Sequence, residues 1–259
     1  MFFHVLKSEL TKLTTTASLY WTTGLYLLFS VGFSALTALS IRLDPSHVLA
    51  FGPQALLVLV YMLGVFILAI QAVIVVTNEY SHHYQSATFL ATPKRWVVIV
   101  AKWLLYAVYA AILTFVAIVL CLYVAKAVVG GAIGASLDVF GDAAARRALW
   151  LYPVQAVLYV TVAQAVAWLT RQTAAGVAFM LMVPLVVESI LGALPKIGQY
   201  IYFLMPFSNL NAFINKVNLR NLWAQDAPPW GWEFGIWYFL IWAVVLAGAA
   251  VVVVEKRDA

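Results

Sequence analysis

The chain has 259 residues, 65% hydrophobic and 10% charged, with a mean hydropathy of +0.96 and a formal charge of +5. A soluble domain of this length cannot hide so much apolar surface in one core, so the composition excludes an ordinary soluble globule and makes a bilayer the solvent. The positive charge is scattered, which suits anionic lipid headgroups and offers no basic stripe or motif for nucleic acid.

In chain order, residues 1–18 open with MFFHVLKSELTKLTTT, where Phe2, Phe3, Leu6, Leu10 and Leu13 fall near helical spacing and Lys7, Glu9 and Lys12 lie between them. That pattern predicts an amphipathic helix in the membrane interface. The apolar run that follows is longer than a typical h-region and lacks a simple basic segment before it, so no cleavable signal peptide is expected.

Six segments meet the roughly 20 apolar residues that a helix needs to cross the hydrocarbon core. They are 19–41, 54–77, 97–124, 150–169, 174–194 and 234–254. Period-2 alternation is absent, and lipid tolerates no unpaired backbone groups, so the prediction is an all-α polytopic membrane protein of one domain. Tyr20, Trp21, Trp96, Trp150, Trp168, Trp230 and Trp232 sit near the proposed ends, where amphipathic rings favour the headgroup level. The single cysteine, Cys121, lies inside the third run, so an intrachain disulfide is excluded and a packing role is expected.

Between the spans, 78–96 is a polar segment caught between two apolar runs, and it continues into span three as far as Lys102: NEYSHHYQSATFLATPKRWVVIVAK. Such a segment is where a membrane protein meets something soluble. Residues 126–147 read as a loose Gly- and Ala-rich connection. Residues 195–233 contain IGQYIYFLMPFSNLNAFI, too interrupted by Pro206, Asn209 and Asn211 to span, which predicts short or re-entrant helices at the outer surface. An even number of spans puts both termini on one side. Charge bias barely orients the chain: Lys7, Lys12, Lys94, Arg95, Lys102, Arg171, Lys256 and Arg257 fall on the terminal side, and Arg42, Lys126, Arg146, Arg147, Lys196, Lys216 and Arg220 on the other.

Several chemistries are missing. No G-x-x-x-x-G-K-[ST] occurs, so nucleotide hydrolysis in the P-loop manner is excluded. There is no H-E-x-x-H, and His82 and His83 are adjacent, a poor geometry for two ligands from one helix face. Paired aspartates of the kind that hold magnesium on a prenyl diphosphate are absent too. Nothing assembles an enzyme site.

Inside the spans, Glu188 is the one carboxylate of span five, which also holds Gly176, Pro184 and Gly192. An intramembrane carboxylate costs roughly 2.5–3.5 kcal/mol near a helix centre. Glu188 therefore either snorkels toward the nearby end or faces a cavity, where it attracts substrate or gates the exit. Pro184 either kinks the helix or shapes its packing. Gln71, Gln155 and Gln164 either touch substrate or bond between helices. Tyr61, Phe66, Phe179 and Met180 are adaptable apolar surface of the kind a translocation path uses.

The sequence Glu79-Tyr80, then Thr88, then Ala91-Thr92-Pro93-Lys94-Arg95 and Lys102 resembles the loop between spans two and three of ABC-2 type transporter permeases. Phe89 stands where that family usually has Leu, and His83 where a glycine is common. The resemblance extends to the helix before span one, the six-span layout and the long segment before span six. It implies an ABC-2 (type V exporter-like) transmembrane domain in the plasma membrane with both termini cytoplasmic. It also implies a dimer of such chains, homo- or heteromeric, and two separate ATPase subunits that bind ATP and Mg, with no cofactor on this chain. In such permeases the loop forms a coupling helix, so Glu79, Tyr80, His82, His83, Gln85 and Thr88 would face the ATPase. Pro93 would end that helix, and Lys94 and Arg95 would anchor span three to headgroups. Spans two and five line the central interface in that family, which puts Tyr61, Phe66, Gln71, Phe179, Met180, Pro184 and Glu188 on the candidate path. The expected activity is export of an amphipathic or hydrophobic compound. A proton-coupled carrier using Glu188 and a membrane enzyme acting on lipid are the alternatives.

Overall fold

The computed structural model describes residues 2–44, 52–81, 95–194, 198–217 and 231–257, and every regular element among them is helical. The amphipathic α1 covers Phe2–Thr15 and breaks at the extended Thr16 before α2, Ala17–Leu43. A short α3, Pro53–Leu56, leads to a π turn at Val60–Gly64 that continues as α4, Val65–Ser81. Then come α5, Arg95–Val129, the short α6, Gly131–Ser136, and α7, Ala143–Thr170. Next are α8, Thr173–Met182, a π turn at Val183–Val187, and α9, Glu188–Gly192. The chain ends with α10, Gly198–Tyr202, α11, Pro206–Asn215, a single 3-10 turn at Trp232–Phe234 and α12, Gly235–Arg257.

Six of these helical stretches are long and apolar enough to cross a membrane: Ala17–Leu43, Val60–Ser81, Arg95–Val129, Ala143–Thr170, Thr173–Gly192 and Trp232–Lys256. They match the six predicted runs and are consistent with a multi-pass membrane protein. The ends differ from the sequence reading where local chemistry extends a helix. Residues 126–147 are not a loose connection throughout, because α5 runs on to Val129 and α7 begins at Ala143. Asp142 caps α7, its Oδ1 accepting from the Ala144 and Ala145 amides at 2.6 and 3.2 Å, so the helix starts seven residues before Trp150. Asp138 accepts from the Phe140 and Gly141 amides at 3.1 and 2.8 Å, and these bonds hold its carboxyl below the usual value.

Helix α7 is the centre of the bundle. It packs against α4, α5, α8 and α12, while α2 lies along α5 and α11 along α12. An aromatic cluster of Phe66, Tyr159, Phe207 and Phe239 joins α4, α7, α11 and α12, with ring centroids 5.1–5.9 Å apart. Polar pairs fix register between spans, as expected where lipid offers no hydrophobic gain from helix association. Thr77 bonds Thr173 at 2.7 Å, Trp103 Nε1 donates to Thr161 at 2.8 Å, Ser34 donates to the Cys121 carbonyl at 2.9 Å, and Thr23 bonds Tyr109. Arg95 Nη1 lies 3.5 Å from the Val254 carbonyl, so the start of α5 meets the end of α12. The end of α4 and α1 lie at this same end of the bundle.

Pro184 sits inside the Val183–Val187 π turn. Proline has no N–H to donate, and its ring crowds the carbonyl of residue i−4. The wider turn relieves that crowding without breaking the span. Helix α8 approaches α4 closely only because residue 176 is glycine: a Cβ there would lie 2.6 Å from Val73 Cγ1. We expect Gly176→Ala to lower stability by about 1–3 kcal/mol through overpacking. Gly24→Ala, with open space around its Cβ position, should be neutral or slightly stabilising. Thermal unfolding of the two variants in one detergent tests this, and equal midpoints would mean the α4–α8 contact is loose.

Candidate functional site

Three helices meet in a cavity of about 370 Å³ at the α1 end of the bundle, and each supplies residues at i, i+3 and i+4. Helix α1 contributes Glu9, Lys12 and Leu13, α4 contributes Val75, Asn78 and Glu79, and α5 contributes Lys102, Leu105 and Tyr106. That spacing stacks side chains on one helix face, so each helix turns a single mixed face inward. Thr15 and Thr16 complete the wall.

Four charges cross-link these faces. Glu9 Oε1 accepts from Lys12 at 2.6 Å, and Glu9 Oε2 from Lys102 at 2.7 Å. Glu79 Oε1 takes both lysines, each at 2.9 Å. The side chains of Glu9 and Lys102 are each 4% exposed and that of Glu79 9%, whereas Lys12 is 41% exposed. Two carboxylates and two ammoniums at this depth balance each other's charge, as buried ions must. Burial opposes the charge on Lys12. The pull of Glu79 and the hydrogen bond and charge of Glu9 outweigh it, and the ammonium is held above its usual value.

A raised lysine favours the folded state wherever the unfolded lysine is already protonated. The contribution of Lys12 is therefore full below about pH 10.4, the ordinary lysine value, and is lost only as pH rises past the higher folded value. We expect α1 to stay docked, and Lys7 to keep its rate of tryptic cleavage, from pH 7 to 9, with α1 loosening above about pH 10.5. Release of α1 below pH 9 would show that the cluster is not what holds it.

This arrangement changes the expected orientation of two residues. Glu79 is expected to face a soluble partner; its carboxylate instead turns inward between α1 and α5, where Lys12 and Lys102 each lie 2.9 Å from Oε1. Tyr80 is half-buried, its ring edge-on to Trp168 at 5.9 Å and under the Arg171 guanidinium at 5.2 Å. Arg171 reaches it from a left-handed cap, φ 57°, that ends α7. His82, His83, Gln85, Thr88, Pro93 and Lys94 lie outside the described residues, and Arg95 begins α5. Helix α1 also departs from the simple amphipathic reading. Its Glu9 and Leu13 are buried against the bundle while Phe3 and Leu10 are exposed, so the packed face is mixed and part of the apolar surface looks outward.

Several of the candidate path residues make helix-to-helix contacts among the described residues. Tyr61, in the first π turn, packs on Tyr152 with centroids 5.1 Å apart, and its carbonyl accepts from Gln155 Nε2 at 3.0 Å. Phe66 belongs to the aromatic cluster, Met180 is fully buried and Phe179 packs on the core. Gln71 accepts from the Tyr106 hydroxyl at 3.0 Å. These contacts join neighbouring helices, and Gln71 reaches the wall of the cavity at the α1 end through its bond to Tyr106. Pro184 lies on the more exposed Thr173–Gly192 stretch.

Glu188 does not snorkel. It is buried, with Oε1 accepting from the Phe207 amide at 3.0 Å and Oε2 from the Ser208 amide and hydroxyl, both at 2.6 Å. Phe207 and Ser208 are in the first turn of α11, whose N-terminal amides have no partner within the helix, so Glu188 is a cap delivered from another span. Toward the other end of α11, Arg147 donates from Nη2 to the Phe213 carbonyl at 2.7 Å and stacks on Phe213 and Trp232. Residues 198–217 are thereby fastened to the bundle at the end opposite α1, as short helices.

Sequence reasoning missed Lys12 and Lys102 as partners of Glu79, and Glu9 as the second carboxylate of the cluster. The signal was present: Lys102 lies seven residues inside α5, too deep to stay charged without a carboxylate. Comparison with protein-family models, curated proteins and solved structures finds no match to this chain.

Proposed function

We propose that this chain is the transmembrane permease subunit of an ATP-driven ABC exporter, of the ABC-2 kind that its second loop resembles. It would sit in the plasma membrane with both termini cytoplasmic. It would work as a dimer with a second permease chain and two ATPase subunits that bind ATP and Mg. The cargo would be an amphipathic or hydrophobic compound.

The observation that best supports this is the charged cluster. Glu79 on α4 and Lys102 on α5 lie on either side of residues 82–94 in sequence and are tied to each other and to α1. A displacement of that loop by a docked subunit would reach both spans and α1 together, because the buried ion pairs resist separation. Glu188, on which the carrier and enzyme alternatives depend, accepts three hydrogen bonds from α11, which favours the permease reading.

The test is co-expression with candidate ATPase subunits followed by affinity capture. The native chain should retain an ATPase, and His82→Ala/Gln85→Ala in the loop should weaken capture at least tenfold, about 1.4 kcal/mol. Absence of any ATPase from the captured material under all conditions would end this reading.

A further inference from the structure

We propose that the cavity between α1, α4 and α5 binds the headgroup of a membrane phospholipid of the ethanolamine class, zwitterionic and bearing a primary ammonium. The inference does not depend on the transporter reading.

One atom of the cluster is left over. Glu79 Oε1 takes both lysines, while Glu79 Oε2 has no partner among the described residues, although Glu79 is 7% exposed and lines the cavity. A carboxylate oxygen left open on a cavity wall can accept a hydrogen bond from a ligand. Lys12, half-exposed at the mouth, offers positive charge to an incoming phosphate. A purely anionic headgroup at this site meets Glu9 and Glu79, and a purely cationic amphiphile meets Lys12 and Lys102. A zwitterion answers both signs at once: its ammonium to Glu79 Oε2 and its phosphate beside Lys12. The ammonium must carry N–H, which excludes the trimethylammonium of choline lipids as a hydrogen-bond donor to this oxygen.

The rest of the wall suits the part of a lipid next to the headgroup. Leu13, Val75, Leu105 and Tyr106 form an apolar side, with Asn78, Thr15 and Thr16 near the charges. The volume of about 370 Å³ is at the small end for ligand sites, which run from about 300 to 1,000 Å³. It takes a headgroup and glycerol while the acyl chains remain in the bilayer. The setting agrees: α1, which supplies one wall, turns Phe3 and Leu10 outward as an interfacial helix does.

The experiment is native mass spectrometry of the full chain taken from nanodiscs of equimolar phosphatidylethanolamine, phosphatidylcholine and phosphatidylglycerol. Retained ethanolamine lipid should exceed each of the other two about tenfold. Thr15→Trp, at an exposed position on the cavity wall, should abolish that preference with no change in the thermal unfolding midpoint. Equal retention of the three lipids, preference for the glycerol lipid, or a preference that survives Thr15→Trp would each overturn the proposal. Soluble glycerophosphoethanolamine separates the two sources of this headgroup. Failure to displace the bound lipid at millimolar concentration supports the membrane source, and full displacement would overturn it.

Discussion

Lys102→Met is expected to destabilise the folded chain by about 3–5 kcal/mol, the usual consequence of removing one member of a buried ionic group. Lys102 is 4% exposed and is the partner of Glu9 Oε2 and one of two partners of Glu79 Oε1. Without it, two buried carboxylates must share Lys12, whose side chain is half-exposed. Adding Glu79→Leu should recover most of the loss, because the remaining Glu9–Lys12 pair is balanced and an apolar pair of similar volume replaces the other two charges. The double variant matters as much as the single one, since it separates the loss of a contact from the stranding of a charge. Denaturant unfolding in detergent measures both. A Lys102→Met midpoint within about 1 kcal/mol of the native chain would mean that the cluster behaves as a surface pair. The position of α1 should report the same events, because Glu9 and Lys12 supply half of the cluster.

Glu188→Leu is expected to cost about 3 kcal/mol or more, while Glu188→Gln costs about 1 kcal/mol. Leucine leaves the Phe207 and Ser208 amides and the Ser208 hydroxyl without their acceptor in a buried place. It also removes a negative charge from the N-terminus of α11. Glutamine keeps one acceptor oxygen and loses the charge. A residue that served only substrate would give another pattern, with transport lost in both variants and unfolding unchanged. Thermal unfolding set beside any transport assay of the same variants distinguishes the two. Equal midpoints for native and Glu188→Leu would remove Glu188 from its capping role.

The number and place of the spans were legible because a 20-residue apolar run in lipid has one available structure. Tyr20, Trp21, Trp96 and Trp168 marked ends to within a few residues of the observed helices, whereas Trp150 lies seven residues inside α7. The helical start of the chain was legible from its spacing, and so was the broken character of 198–217 from Pro206 and the asparagines. The early start of α7 was not anticipated, because Asp142 reads as a loop residue until its side chain is seen on two amides.

The roles of single polar residues were a different matter. Periodicity states that Glu79 and Lys102 belong to two successive helices, but their distance depends on how α4 and α5 are rotated about their axes. No pattern within either run specifies that rotation. For Glu188, the sequence offered snorkelling or a cavity, and the answer was a helix N-terminus 19 residues later in the chain. Composition alone determined the solvent of this protein and the secondary structure that solvent permits, because the cost of exposed backbone in lipid is paid residue by residue. Only the tertiary structure decided which buried charges meet, because a charge in a dry interior is satisfied by whatever distant helix happens to present its opposite.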